Sequence, residues 1–292
     1  MDSPPDAHDA RLQRRIQRYG WDLAMAQYEA TWREALAPVH ARLVACARLS
    51  AGERVLDVAC GTGIVSFEAA RAVGVQGHVH GIDLSGRMVS CAVRRADLRR
   101  VRHATFTRAD AESLPVADAG FDVATCALGL MYVHDPVRAL AAMRRALRPG
   151  GRLAVAVWGE RRRCGWSEAF PIVDAEVESE VCPRFFGLGD AGALRRAVEA
   201  AGFVEFSEER LRAPLPFPTA AKACLAVFEG GPAALAWSRF DDETRARVSR
   251  RYLDAIASWR TGRGYRIPGE FVVATATVPA GQPRFSLLKG LA

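Results

Sequence analysis

Residues 55–63 read VLDVACGTG: an apolar run interrupted by Asp57, then Ala59 and Cys60, then Gly61 and Gly63 around a threonine. A glycine turn between a strand and a helix ordinarily receives phosphate, because its amides and the helix N-terminus together attract an anion. The dinucleotide fingerprint G-x-G-x-x-G is not met here, since the run GTGIVS puts Ser66 where the third glycine would stand. Asp57 beside the loop would repel a diphosphate and attract a cation. The ligand such a loop calls for is nucleoside-like, free of phosphate, and positively charged at the end that meets the loop.

Outward from this loop, short apolar runs alternate with helix-length segments. Strands are expected over 54–58, 78–83, 104–108, 121–126 and 152–157, and helices over 64–73, 85–97 and 136–147, the last closed by the stop signal RPGG. Strict alternation builds βαβ units, a parallel sheet with helices on both faces, and a ligand crevice at the carboxyl ends of the strands. Asp83 closes the second strand about twenty residues after the glycines, where an acidic side chain accepts hydrogen bonds from a ribose diol. The same residue can cap the helix that begins at Ser85. Asp110, in RADAESLP, ends the third strand, where a carboxylate can accept from an exocyclic amino group such as that of adenine. Adenine, ribose and a cationic tail together describe S-adenosylmethionine. His134, in MYVHDP just beyond the fourth strand, either takes a proton from a substrate or packs against the following helix.

VLDVACGTG, GIDLS, ADAESLPVADAGFDVATCALGLMYVHDP and LRPGGRLAVAVWG resemble, in order and spacing, successive motifs of class I S-adenosylmethionine-dependent methyltransferases. Among these the chain most resembles the bacterial small-molecule group that includes the ubiquinone/menaquinone-biosynthesis type. The likeness is close over roughly residues 50–160, and ALRRAVEAAGF followed by a late strand fits the end of that fold. It implies an α/β, Rossmann-like, seven-stranded, mostly parallel sheet with helices on both faces, its last strand (270–278) antiparallel. It implies a methionine-binding loop at Asp57, Ala59, Cys60, Gly61 and Gly63, a ribose contact at Asp83, and packing of Leu84 on the adenine. Asp110 and Ala111 would meet the adenine edge. Cys126 and Ala127, followed by Leu128, would face the sulfonium and the incoming acceptor. The product implied is S-adenosylhomocysteine.

The rest of the chain divides around this core of 50–160. Residues 1–49 form a helical N-terminal segment, expected as two or three helices broken at Gly20 and Pro38. Its Tyr19, Trp21 and Tyr28 either fold over the cofactor, as the family commonly arranges, or are plain core aromatics. Segments 161–190 and 212–266 read as lid insertions, and Trp166, Phe170, Phe185 and Phe186 as lining for an acceptor pocket. The sheet is completed by 191–211 and 267–292, with Asp190 as a helix N-cap, Gly202 as a helix stop, a strand over 203–211, and helices near 219–229 and 241–260 within the second insertion.

Half of the 292 residues are hydrophobic, enough for a sizeable core, and no stretch of eighteen apolar residues suggests a membrane span. The polar start, without an apolar segment behind its charges, points to the cytoplasm. Seven scattered cysteines, with no C-x-x-C pair and no Cys/His cluster at zinc spacing, read as reduced thiols and give no metal site. The net charge of +7 comes almost wholly from arginine, since Lys222 and Lys289 are the only lysines. The runs RRADLRRVR and MRRALRP fit solvent faces of helices better than a nucleic-acid surface; the alternatives to a small-molecule methyltransferase are an RNA methyltransferase using these Arg-rich faces and an enzyme that binds S-adenosylmethionine without methylating. No N/D-P-P-Y/F/W tetrapeptide and no Pro-Cys nucleophile is present, which favours a small organic acceptor over a nucleic acid, for a monomer or homodimer.

Overall fold

The computed structural model describes residues 7–177 and 185–280. Its first element, α1 (Ala7–Ala47), is a single helix of 41 residues. The expected breaks at Gly20 and Pro38 do not occur. An interior glycine costs a helix about 1 kcal/mol and a proline about 3. Trp32, Ala35, Leu36, Val39 and Leu43 are all buried around Pro38, and burying each large side chain stabilises by about 1.5–3 kcal/mol, so tertiary packing carries the helix through.

The core alternates as expected: β1 (Arg54–Val58), α2 (Ile64–Val73), β2 (His78–Asp83), α3 (Gly86–Arg99), β3 (Ala104–Arg108), β4 (Phe121–Ala127), α4 (Pro136–Ala146) and β5 (Leu147–Trp158). These strands pair in parallel. After β5 come α5 (Ala169–Asp174), α6 (Ala193–Ala200), β6 (Val204–Phe217), α7 (Ala220–Phe228), α8 (Ala234–Trp237), α9 (Asp242–Ala255), β7 (Arg260–Thr261) and β8 (Gly264–Thr277). The sheet runs β3-β2-β1-β4-β5-β8-β6. β8 lies antiparallel between β5 and β6, as expected of the last strand, and the two-residue β7 hairpins onto its start as an eighth strand.

Four local expectations are corrected. α4 stops at Ala146, just ahead of RPGG as expected, but the RPGG run itself is strand and enters β5 through a register shift opposite Phe121 and Val123. Gly150, at φ +73°, makes the bend, and its N–H bonds the Val278 carbonyl at 3.0 Å. Asp190 is not the N-cap of α6; Gly192, at φ +71°, holds that position without a side-chain bond. The strands expected over 203–211 and 270–278 are both longer, because β6 and β8 continue as a ladder as far as Phe217 and Tyr265. Prolines 214, 216 and 268 hide that continuation in the sequence. They are tolerated because β6 is an edge strand and β5 flanks β8 only as far as Phe271.

The sheet is buried on both faces. Val55, Leu56, Val58, Val123, Ala124 and the run Leu153–Val157 are all 1% exposed or less. α7 and α8 pack on α1, where Trp32 Nε1 donates to the Ala226 carbonyl at 2.8 Å. Trp166, Phe170, Phe185 and Phe186 form a buried aromatic cluster with Trp32 and Trp158. Six cysteines are free thiols; Cys182 and Lys289 lie outside the described residues. Among the described residues no helix is long and apolar enough to cross a membrane.

Candidate cofactor cleft

Three backbone features shape the carboxyl ends of the central strands. Ala59, just after β1, and Leu128, just after β4, both adopt left-handed backbone at φ +57°, a conformation that costs a non-glycine residue about 1–3 kcal/mol and concentrates at functional sites. The two turns press together at Gly129, where an added Cβ would stand 2.3 Å from that of Ala59. Between these turns and the ends of β2 and β3 opens a cleft with an empty volume of about 790 Å³, the open solvent at its mouth included.

Asp83 is the fixed polar point of this cleft. Its Oδ2 accepts from Gly61 N and its Oδ1 from Ser85 N, both at 2.8 Å. Burial pushes its carboxyl up to about 6, against the lowering pull of those amides. Leu84, Met88, Asp110 and Ala111 continue the same wall, and Ala59, Gly61 and Ala127 form the floor. Asp110 Oδ1 accepts from Glu112 N at 2.9 Å, and its other oxygen lies 3.5 Å from Arg14 Nε.

α1 closes the cleft from above. Arg14, Gln17, Trp21 and Tyr28 recur at intervals of three, four and seven residues, hence on one helix face, and all four line it. Polar contacts strap the helix down. Asp22 accepts from Ser85 Oγ at 2.6 Å and from Arg87 N at 3.1 Å. Glu29 accepts from Thr62 in the glycine loop and from Arg95 of α3. Trp21 meets Tyr28 and Tyr132 edge to face. Burial and the charge of Asp83 both push the Tyr28 hydroxyl far up, so it remains a neutral donor.

Asp57 stands beneath the loop, 1% exposed. Its Oδ2 accepts from Ser66 at 2.5 Å and its Oδ1 from Thr125 at 2.8 Å. Burial pushes its carboxyl up to about 6. It lines not the main cleft but a recess with an empty volume of about 300 Å³, which shares Tyr28, Ala59, Gly61 and Ala127 with the cleft. Cys60 also lines the recess, its thiol pushed well above its usual range by burial and by Asp83 and Asp57, which makes it an inert side chain. His40 of α1 faces the same recess, lowered by burial to about 4 and therefore neutral.

Several sequence candidates fall outside. Gly63 is a turn residue: at φ +85°, a Cβ there would strike Phe67 at 2.8 Å. Cys126 is buried under the β4 turn, its thiol pushed up to about 12. Tyr19 is 48% exposed on the opposite face of α1. The four aromatics expected to line an acceptor pocket are core residues, and only Phe185 comes near the cleft, meeting Tyr132 edge to face. His134 is tied down beside the cleft: its Nδ1 lies 2.7 Å from Gln13 Oε1 and its N–H donates to Glu112 at 2.9 Å. Its Nε2 is buried with no hydrogen-bond partner among the described residues.

Sequence reasoning missed Arg14, Gln17, Met88, Glu112 and Tyr132, all in the cleft wall. The helical spacing of Arg14, Gln17, Trp21 and Tyr28 was the signal for α1, and the assumed break at Gly20 concealed it. Among the described residues no group of three or more His, Cys, Asp or Glu side chains could hold a metal ion.

A doubly flanked sheet of this order with an acidic, strained cleft at its carboxyl edge is the class I methyltransferase fold. Residues 55–151 match the family described as methyltransferase domain. The demethylmenaquinone methyltransferase of Listeria welshimeri is 37% identical over 126 residues, which cover 42% of this chain and 52% of that protein. The aklanonic acid methyltransferase DauC of a Streptomyces species is 36% identical over 134 residues, covering 46% and 61%. The chain thus spans little more than half the length of these relatives. A phosphoethanolamine N-methyltransferase of Haemonchus contortus, solved with S-adenosylmethionine, superposes with a TM-score of 0.59 at 18% identity, over 88% of this chain and 57% of that one. That likeness is one of fold.

Proposed function

We propose that this protein transfers the methyl group of S-adenosylmethionine to a small organic acceptor, in quinone-like or specialised metabolism in the cytoplasm. The observation that carries the reading is Asp83, fixed by two backbone amides inside a cleft whose glycine loop is backed by a second buried carboxylate. Each oxygen of Asp83 accepts one amide and keeps a lone pair for one hydroxyl of a ribose diol. Leu84, Met88 and Ala111 offer an apolar slot for a purine, and Asp110 an acceptor for its amino group. The recess holding Asp57, neutral His40 and the Tyr28 hydroxyl suits an ammonium.

When bound, the cofactor supplies an electrophilic methyl group on sulfur. The chain's own residues need only position, desolvate and, for a hydroxyl or carbon acid, hold a proton. Leu128, Gly129, Tyr132 and Val133 would hold the acceptor at the end of β4, where its lone pair forms the new bond to carbon as the carbon–sulfur bond breaks. His134 Nε2 would be the atom that receives the acceptor's proton. α1, with α7 and α8 behind it, would exclude water. The relatives named for demethylmenaquinone and aklanonic acid support a small organic acceptor. A screen of phenols, quinols and amines for release of S-adenosylhomocysteine tests the proposal. Release in step with a methylated acceptor supports it; tight binding of S-adenosylhomocysteine with no release from any acceptor would point to a non-methylating use of the cofactor.

A further inference from the structure

The β6–β8 ladder carries a second group of charges that the cofactor cleft does not use. Alternation along the two strands puts Arg210, Arg212 and Pro214 on the same face as Arg266, Pro268 and Glu270, with Arg212 directly opposite Glu270. The other face, with Leu215, Phe217, Ile267 and Phe271, is buried in the core. Glu270 is 1% exposed, and a carboxylate so buried must be paired. It is paired three times, with Arg210 at 3.0 Å, Arg212 at 3.3 Å and Arg163 at 3.5 Å. Glu160, just beyond β5, draws in Arg162 at 2.7 Å and reaches Arg163 and Arg210 at 3.7 and 3.9 Å.

Four guanidiniums therefore meet two carboxylates, Arg266 brings a fifth to the same face, and positive charge is left over. Each guanidinium presents five N–H groups in a fixed fork, most of them unspent on these pairs. Over the face lies a concavity with an empty volume of about 940 Å³, floored by Pro214 and Pro268. One wall is Trp259, whose indole lies against Gly165 so closely that a Cβ there would be 2.6 Å from the ring. None of these residues lines the cofactor cleft.

We propose that this concavity binds a small phosphate-bearing ligand with a flat ring, of the nucleotide class. The phosphates meet Arg162, Arg163, Arg212 and Arg266, whose forks match phosphoryl oxygens, and the ring lies on Trp259. Glu270 is a positioning residue that holds two of the rim guanidiniums, Arg163 and Arg212. A single concavity fits one small molecule, whereas a nucleic-acid strand would need cations tracking its backbone. The site stands apart from the methyl-transfer reading and does not depend on it.

Calorimetric titration of the full chain at low salt with pyrophosphate, UDP, uridine and a single-stranded RNA oligomer tests the assignment. UDP and pyrophosphate should bind at least tenfold more tightly than uridine. The double variant Arg212→Ala/Arg266→Ala, both exposed positions, should weaken both at least tenfold while leaving affinity for S-adenosylhomocysteine within twofold. Trp259→Ala should weaken UDP about fivefold and pyrophosphate hardly at all. Equal affinity for UDP and uridine, or unchanged UDP affinity in the double variant, overturns the proposal. RNA bound more tightly than UDP and lost in the same variant overturns it in favour of a nucleic-acid surface.

Discussion

Ser66 Oγ donates to Asp57 Oδ2 across 2.5 Å. The residue that breaks the dinucleotide fingerprint is thus the residue that holds the carboxylate in place, and the two departures from a phosphate loop are one device. Thr125 on β4 completes it from the neighbouring strand.

Removing that hydroxyl should be costly. Ser66→Ala leaves a fully buried carboxylate with one donor fewer, and we expect a loss of about 1–3 kcal/mol in stability by urea unfolding. An unchanged midpoint would mean that Asp57 finds another partner.

Asp83→Ala should weaken binding of S-adenosylhomocysteine by about 1–3 kcal/mol, through loss of charge-assisted bonds to the ribose. Calorimetry measures this directly, and an unchanged dissociation constant would take Asp83 out of the binding site.

The chain shows plainly why some of this was legible. β1, β2 and β3 match their expected limits, and the carboxylates Asp83, at the end of β2, and Asp110, two residues beyond β3, follow from those limits. Asp57 was legible as a charge but not as a side chain pinned by Ser66 and Thr125, since the Thr125 contact spans 68 residues. The continuity of α1 through Pro38, and with it the lining face Arg14–Gln17–Trp21–Tyr28, depends on burial against α7 and the sheet, which no local pattern carries. Trp166 and Phe185 looked like pocket lining because their spacing fits no helix face; they are irregular because they pack on one another.

Acid should act on the free and the ligand-bound protein in opposite senses. Asp57 and Asp83 are both raised by burial to about 6 from an ordinary 3.8. Between about pH 4 and 6 the folded protein keeps protons that the unfolded chain has released, so the stability of the ligand-free protein falls as pH rises through that window. A ligand carrying an ammonium favours the ionised carboxylates, so its affinity should rise by about threefold or more from pH 5 to 7. Titrations at the two pH values measure it, and Asp57→Asn should flatten the dependence. A flat profile in the unaltered protein would contradict these assignments.

His134→Ala should lower turnover while the affinity for S-adenosylhomocysteine stays the same, because the ring lies beside the cleft and not in its nucleoside wall. The loss should be about 10²-fold or more if Nε2 accepts the acceptor's proton. Equal turnover would make the histidine a structural tie between Gln13 and the turn after β4.

The most direct measurement is a pair of calorimetric titrations of the same protein, one with S-adenosylhomocysteine and one with NADH. The cleft described here, with a carboxylate below the glycine loop and another at the end of β2, should bind S-adenosylhomocysteine at micromolar concentration and leave NADH unbound. Binding of NADH without S-adenosylhomocysteine would mean that a diphosphate is accommodated where negative charge should exclude it.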